Sequence, residues 1–210
     1  MNELFVINIG RQLGSGGKSI AKILSEKFHI SFYDKELLDI AAKESGFGKE
    51  FFEKADETAS NHRGSNYFGF RLPLIGNGMY DCYLTNDSLF SFQSEAIRHI
   101  AEKESCIFIG RCADYVLREN PRCVNIFISA DEKDCMERLK TRYPEMNESQ
   151  IQNLMEKGNK KRASFYNYYS NREWGSAETY HLCINSSVLG LEKTADFCEK
   201  FIREKLGIQS

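Results

Sequence analysis

The stretch GRQLGSGGKSIAKIL, Gly10 to Leu24, places four glycines within eight residues and follows them with Lys18 and Ser19. That composition suits phosphate. Glycine admits positive φ and close backbone approach, so several N–H groups and a helix N-terminus can converge on one anion. The flanking residues fit. LFVINI, Leu4 to Ile9, reads as a short buried strand, and Ile20, Ile23, Leu24 and Phe28 recur at helical spacing behind the loop.

Two registers align this loop with the phosphate-binding pattern GxxxxGK[ST]. In the first, Gly17, Lys18 and Ser19 close the motif, Gly14 and Gly16 keep its middle flexible, and Gln12 stands where the leading glycine belongs. In the second, the helix is aligned by its apolar face as in nucleoside monophosphate kinases. Ser19 then keeps the hydroxyl position, but Gly17 falls at the lysine and Lys18 comes one residue late. Arg11 and Gln12 are further candidates for donor contacts.

Two later segments end on polar residues at strand edges, where ligands gather in parallel sheets. Tyr33-Asp34-Lys35 follows a short strand. Asp34 can serve a magnesium-bound water or an acceptor hydroxyl, or cap the helix KELLDIAAK. Gly110-Arg111-Cys112-Ala113-Asp114 follows CIFI. Arg111 can clamp a phosphate in bidentate fashion, or pair with Asp114.

Downstream, Lys157 to Gly175 concentrates Lys157, Lys160, Lys161, Arg162 and Arg172 among Phe165, Tyr166, Tyr168 and Tyr169. Such a segment can close as a lid whose cations settle on a transferring phosphate. It can also be a solvated face with its aromatics turned inward. Nucleic-acid binding ranks third, because the rest of the chain is not basic.

These residues need a scaffold, and the pattern around them alternates strand and helix. Five strands are expected, at Leu4 to Ile9, Ser31 to Tyr33, CIFIG from Cys106, CVNIFIS from Cys123 and YHLCIN from Tyr180. Asp87 or Ser88 is placed to cap a helix with Leu89, Phe92, Ala96, Ile97 and Ile100 on one face. Asn147 and Gln150 have capping-box spacing, and a last helix should run from Leu191 to Leu206.

A chain of 210 residues with 41% hydrophobic content can close one core without a linker. Its net charge of −2 offers no general attraction for nucleic acid or an anionic membrane, so an anion site must be local. Seven cysteines without a CxxC pair argue for reduced thiols and a cytoplasmic location, with Cys106, Cys123 and Cys183 packing in strands. Four histidines show no metal spacing. MNELFVINIG reads as neither a signal peptide nor a membrane span.

Taken together, RQLGSGGKSIAKIL, FYDKELLDIAAKESG, FFEKADE, FQSEAIRHIAEK, IFIGRCADYVLR, FISADEKDCMERL, KKRASFYNYYSNREWG and YHLCINSSVLGLEKT resemble the cytidylate kinase-like family of P-loop proteins. The resemblance runs from Phe5 to about Phe201. It implies an α/β, three-layer P-loop kinase fold whose five-stranded parallel sheet has the order 2-3-1-4-5, covered by helices on both faces. A single domain over residues 1–210 is expected, with an acceptor-binding insert at about 58–86, including Arg63 and Arg71, and a lid at about 157–175.

The resemblance also assigns roles. Gly14, Ser15, Gly16, Gly17, Lys18 and Ser19 would cradle the phosphates of ATP, with the Ser19 hydroxyl toward Mg2+. Arg111 and Arg162 match arginines that contact the acceptor and close from the lid. Asn159 stands where cytidylate kinases carry an acceptor-reading aspartate, and Lys161 joins the substrate side with Asp34. Lys18, Arg111, Arg162 and Arg172 would offset charge during transfer of the γ-phosphoryl group to a nucleoside monophosphate, CMP or dCMP foremost. A P-loop kinase for another small metabolite, and a non-catalytic nucleotide sensor or scaffold, are the alternatives. No nucleic-acid or membrane partner is expected.

Overall fold

A computed structural model describes residues 3–34 and 86–208. The chain divides into two compact units, Met1–Lys35 with Ile97–Ser210, and Glu36–Ala96. Of the second unit only the helical stretch from Asn86 onward is described. The expected insert at 58–86, with Arg63 and Arg71, lies outside the described residues except for its last position, as does the helix that Asp34 could cap.

The first unit is built on five parallel strands in the order β2-β3-β1-β4-β5, as the resemblance implied. They are β1 (Val6–Arg11), β2 (Ser31–Tyr33), β3 (Cys106–Ile109), β4 (Cys123–Ser129) and β5 (Leu182–Asn185). Val6 aligns with Cys106 on one side and Cys123 on the other, so β1 is central. Its residues Val6, Ile7, Asn8 and Ile9 are all buried, the signature of a strand covered on both faces. β1 also runs further than expected. Gly10 and Arg11 pair with Phe127 and Ile128 of β4, which makes Arg11 the last strand residue instead of the first loop residue.

Helix α1 (Gly17–Phe28) buries Ile20, Ala21 and Leu24 at helical spacing and stops at His29, whose left-handed backbone donates to the carbonyls of Glu26 and Ser25. Those side chains meet Ile7, Ile9, Ile107 and Ile109 of the sheet and Ala195, Cys198 and Ile202 of the last helix. Truncating one of them, Leu24→Ala for instance, removes about 2–5 kcal/mol of stability.

The remaining helices are α2 (Asn86–Lys103), α3 (Ala113–Val116), α4 (Glu132–Arg142), α5 (Glu148–Ser170) and α6 (Ser186–Leu206). α2 is already helical at Asn86, which places Asp87 in its first turn. The Asn147–Gln150 capping box is present, with both reciprocal bonds at 2.9 Å. α6 begins with one turn at Ser186, breaks at Gly190 (φ 73°, ψ 172°), and then continues along the expected Leu191 to Leu206.

Cys106 and Cys123 are buried, but Cys183 is exposed, because β5 is an edge strand that leaves one face uncovered. Cys106, Cys112, Cys123, Cys135, Cys183 and Cys198 are all free thiols. Among the described residues no helix is long and apolar enough to cross a membrane.

Candidate functional site

The loop from Gln12 to Gly16 joins the central strand to α1 at the carboxyl edge of the sheet. Gly14 (φ 83°) and Gly16 (φ 77°) are left-handed on either side of Ser15, and Gly16 directly precedes the helix. Alternation of this kind turns successive N–H groups toward one point and forms an anion nest. Glycine is required at both places by φ, and at Gly14 also by space, since a Cβ there would lie 2.7 Å from the Cys135 carbonyl oxygen.

The loop's carbonyls are held from outside. The Arg11 oxygen accepts from Arg162 Nη1 (3.0 Å), the Gly14 oxygen from Arg138 Nη1 (3.2 Å), and the Ser15 oxygen from the Ser186 hydroxyl (2.7 Å). The Ser15 hydroxyl donates to the Gln12 oxygen (2.9 Å). With its acceptors engaged this way, the loop is pre-organised to offer donors to a ligand. Asn159 of α5 adds one more tie, its Oδ1 accepting the Leu13 N–H at 2.7 Å. The Gln12 side chain accepts the N–H of Ala130, just past β4, at 3.3 Å.

Three arginines approach the loop from different elements. The Arg11 side chain runs past Gly17, where a Cβ would stand 2.6 Å from Arg11 Cβ, and its Nη1 lies 2.2 Å from where a Cβ on Gly110 would stand. Arg111 lies in a turn of three successive left-handed residues, Gly110 (φ 74°), Arg111 (φ 60°) and Cys112 (φ 55°), closed by the Ala113 N–H on the Gly110 oxygen. A left-handed arginine costs about 1–2 kcal/mol, which is strain stored at the end of β3. Its guanidinium sits 5.2 Å from the centre of the Phe165 ring. Arg162, one helical turn before Phe165, has its pKa lowered first by burial and then by the charges of Arg111 and Arg142. Cations gathered near one another in this way can receive a polyanion.

Comparison with known proteins gives the family and the fold. Residues 6–188 match the model of the cytidylate kinase-like family. The chain belongs to that family. Its fold is that of P-loop kinases. An uncharacterized protein from Eubacterium ventriosum is 29% identical, with TM-score 0.71 over 94% of this chain and 98% of that one. A shikimate kinase from Bacteroides thetaiotaomicron is 13% identical, with TM-score 0.53 over 96% and 99%. A gluconokinase from Sinorhizobium meliloti is 15% identical, with TM-score 0.50 over 98% and 94%. No curated protein matches the sequence.

Within this family member the other expected residues are less concentrated. Lys18 Nζ contacts Asp34 Oδ2 at 2.5 Å, with the lysine 60% exposed and the carboxylate buried. Ser19 is exposed in the first turn of α1, as is Lys161 on α5. Arg172 is exposed, its guanidinium 5.7 Å from the Tyr115 ring centre. Asp114 accepts the Tyr166 hydroxyl at 2.5 Å, and Arg172 is the cation that favours its charged form. Asn185 caps α6 through the Ser187 N–H and donates to Asp131.

Segment 157–175 is helical through Ser170, with Tyr166 turned into the core and Tyr168 outward. Sequence reasoning missed Arg138 as a support of the loop. Arg138 reads as half of an ordinary i,i+4 pair with Asp134, and nothing in the pattern reveals its reach to Gly14.

Proposed function

We propose that this protein transfers the γ-phosphoryl group of ATP to a nucleoside monophosphate, with CMP or dCMP the preferred acceptor. The observation that carries this reading is Arg162. From α5 it reaches the carbonyl of Arg11 at the loop's start, while Arg111 confronts it from the end of β3 and rests on Phe165. One end of that arrangement suits the donor phosphates, the other an acceptor that carries a phosphate and a flat ring.

Catalysis is then mainly electrostatic. The backbone N–H groups of Gly14 to Ser19 hold the donor, and Arg111 and Arg162, with Arg172 joining from the end of α5, offset charge spreading over the transferring group. The acceptor phosphate is already anionic, so no dedicated base is needed. Lys18 holds Asp34, which faces the acceptor together with Asn159 and Lys161 on the lid segment 157–175.

Magnesium fits the hard oxygen donors present: the exposed Ser19 hydroxyl would hold it beside the loop. A bound ion would supply neutralisation of the phosphate chain. A cytoplasmic enzyme without a nucleic-acid partner follows from this reading.

A second reading, transfer to a hydroxyl of another metabolite, is favoured by the buried Asp34, which could orient such a group. Coupled detection of ADP over a panel of nucleoside monophosphates and small hydroxy acids separates the two. Turnover with CMP or dCMP above all other acceptors is expected. Turnover only with a hydroxy acid would establish the second reading, and nucleotide-dependent stabilisation without transfer to any acceptor would make the protein a nucleotide-binding sensor.

A further inference from the structure

We infer that the leading glycine and the lysine of the phosphate-loop motif have exchanged places in this chain: Arg11 supplies the cation at the donor phosphates, and Gly17 is the gap that admits it. The inference rests on the nucleoside triphosphate reading above and adds a catalytic residue to it.

The backbone selects the register. In GxxxxGK[ST] the second glycine immediately precedes the lysine at the head of the helix. Gly16 has that place here: it is left-handed, it alternates with Ser15 and the left-handed Gly14, and α1 begins at the next residue. Counting from Gly16, the motif's leading glycine falls on Arg11 and its lysine on Gly17, while Lys18 takes the next position and the hydroxyl comes one residue later, at Ser19. The other register would put the leading glycine at Gln12, whose side chain is committed to Ala130, and the lysine at Lys18, which stands on Asp34.

The two departures compensate each other in space. A Cβ on Gly17 would lie 2.6 Å from Arg11 Cβ and 3.0 Å from Arg11 Cγ, so no side chain at 17 coexists with the present course of Arg11. Conversely, Arg11 can take that course only because position 17 is empty. Its guanidinium then continues to Gly110, where a Cβ would collide with Nη1, and so arrives beside Arg111. The Arg11 carbonyl is meanwhile fixed by Arg162. A cation leaving the sheet at β1 thus passes through the space in which a lysine at position 17 would begin. An arginine there presents a planar fork in place of a point charge, and can bridge two phosphate oxygens.

The test is to measure MgATP binding by titration calorimetry, with thermal denaturation in the absence of nucleotide as the control for folding. Arg11→Ala should weaken MgATP ~10-fold or more, and should weaken it more than Lys18→Ala does. Gly17→Lys alone should also bind weakly, through its clash with Arg11. The double variant Arg11→Gly with Gly17→Lys restores the motif's leading glycine and its lysine, with Lys18 still at the position after them, and should return to within ~5-fold of the natural protein. Should that variant not fold, Arg11→Lys against Arg11→Gln decides: the lysine retains most of the affinity, the glutamine loses it.

Natural protein that binds MgATP while Arg11→Ala binds it equally well would overturn this inference and leave the proposed function standing. A larger loss in Lys18→Ala, or a double variant no better than Arg11→Gly alone, would overturn it likewise. Natural protein that binds no MgATP would overturn the proposed function, and this inference with it.

Discussion

Asn159 of α5 and Leu13 of the phosphate loop are joined by a 2.7 Å hydrogen bond that spans 146 residues of sequence, the Asn159 amide oxygen accepting the Leu13 N–H. The bond ties a helix that carries Arg162 and Phe165 to the loop those residues overlook. Leaving a partly buried N–H without its acceptor costs about 1–3 kcal/mol. Asn159→Leu should therefore lower the melting temperature and weaken MgATP several-fold, whereas Asn159→Asp, which keeps an acceptor in place, should preserve the loop. Equal nucleotide affinity in the leucine and aspartate variants would show that the bond does not organise the loop.

The strained turn at the end of β3 separates stability from function at a single residue. Arg111 has φ 60° and follows the left-handed Gly110. Arg111→Gly relieves about 1 kcal/mol of backbone strain, partly offset by the entropy of glycine, so its melting temperature should equal or exceed that of the natural protein. Phosphoryl transfer should fall by ~100-fold or more, because the guanidinium over Phe165 is gone. Arg111→Ala should lose the same activity without the gain in stability. Unchanged turnover in both variants would remove Arg111 from the site.

The scaffold was legible because its signals are local. Ile20 and Leu24 share a helical face, Asn147 and Gln150 form their box three residues apart, and the buried runs of β3 and β4 have no polar alternation that would argue for an exposed face. The site was less legible because its deciding contacts are not local. That Arg11 belongs to β1 depends on its pairing with Ile128, and its course past Gly17 depends on the helix starting where it does. The substitution of Asn159 for an aspartate looked like a question of acceptor choice, and its contact to Leu13 adds a structural role that no spacing reveals. Cys183 read as a packed thiol because alternation cannot tell an edge strand from a central one.

Gly110 is placed to test the convergence of the arginines independently of any one of them. It needs a left-handed backbone, and a Cβ there would strike Arg11 Nη1. Gly110→Ala should destabilise the protein by about 1–2 kcal/mol and also weaken MgATP, since the Arg11 guanidinium must move aside. A variant that melts early but binds nucleotide normally would mean that the Arg11 guanidinium plays no part at the donor phosphates.

Asp114 gives the protein a pH dependence with a definite sign. Burial raises its pKa above the ordinary carboxylate value, an effect opposed by the Tyr166 hydroxyl and by the charge of Arg172. A carboxyl group with a raised pKa in the folded state contributes stability that is complete below the unfolded value, about 3.9, and is lost as pH rises through the folded pKa. Above that range the ion stays buried at a net cost. Asn at this position keeps an oxygen for the Tyr166 hydroxyl and carries no charge, so Asp114→Asn should be at least as stable as the natural protein at pH 7, with a smaller decline in melting temperature as pH rises from 4. Thermal denaturation of both proteins across pH 4–8 measures this directly. Parallel curves, or a steeper decline in the variant, would mean that Arg172 and Tyr166 together outweigh the burial of the charge.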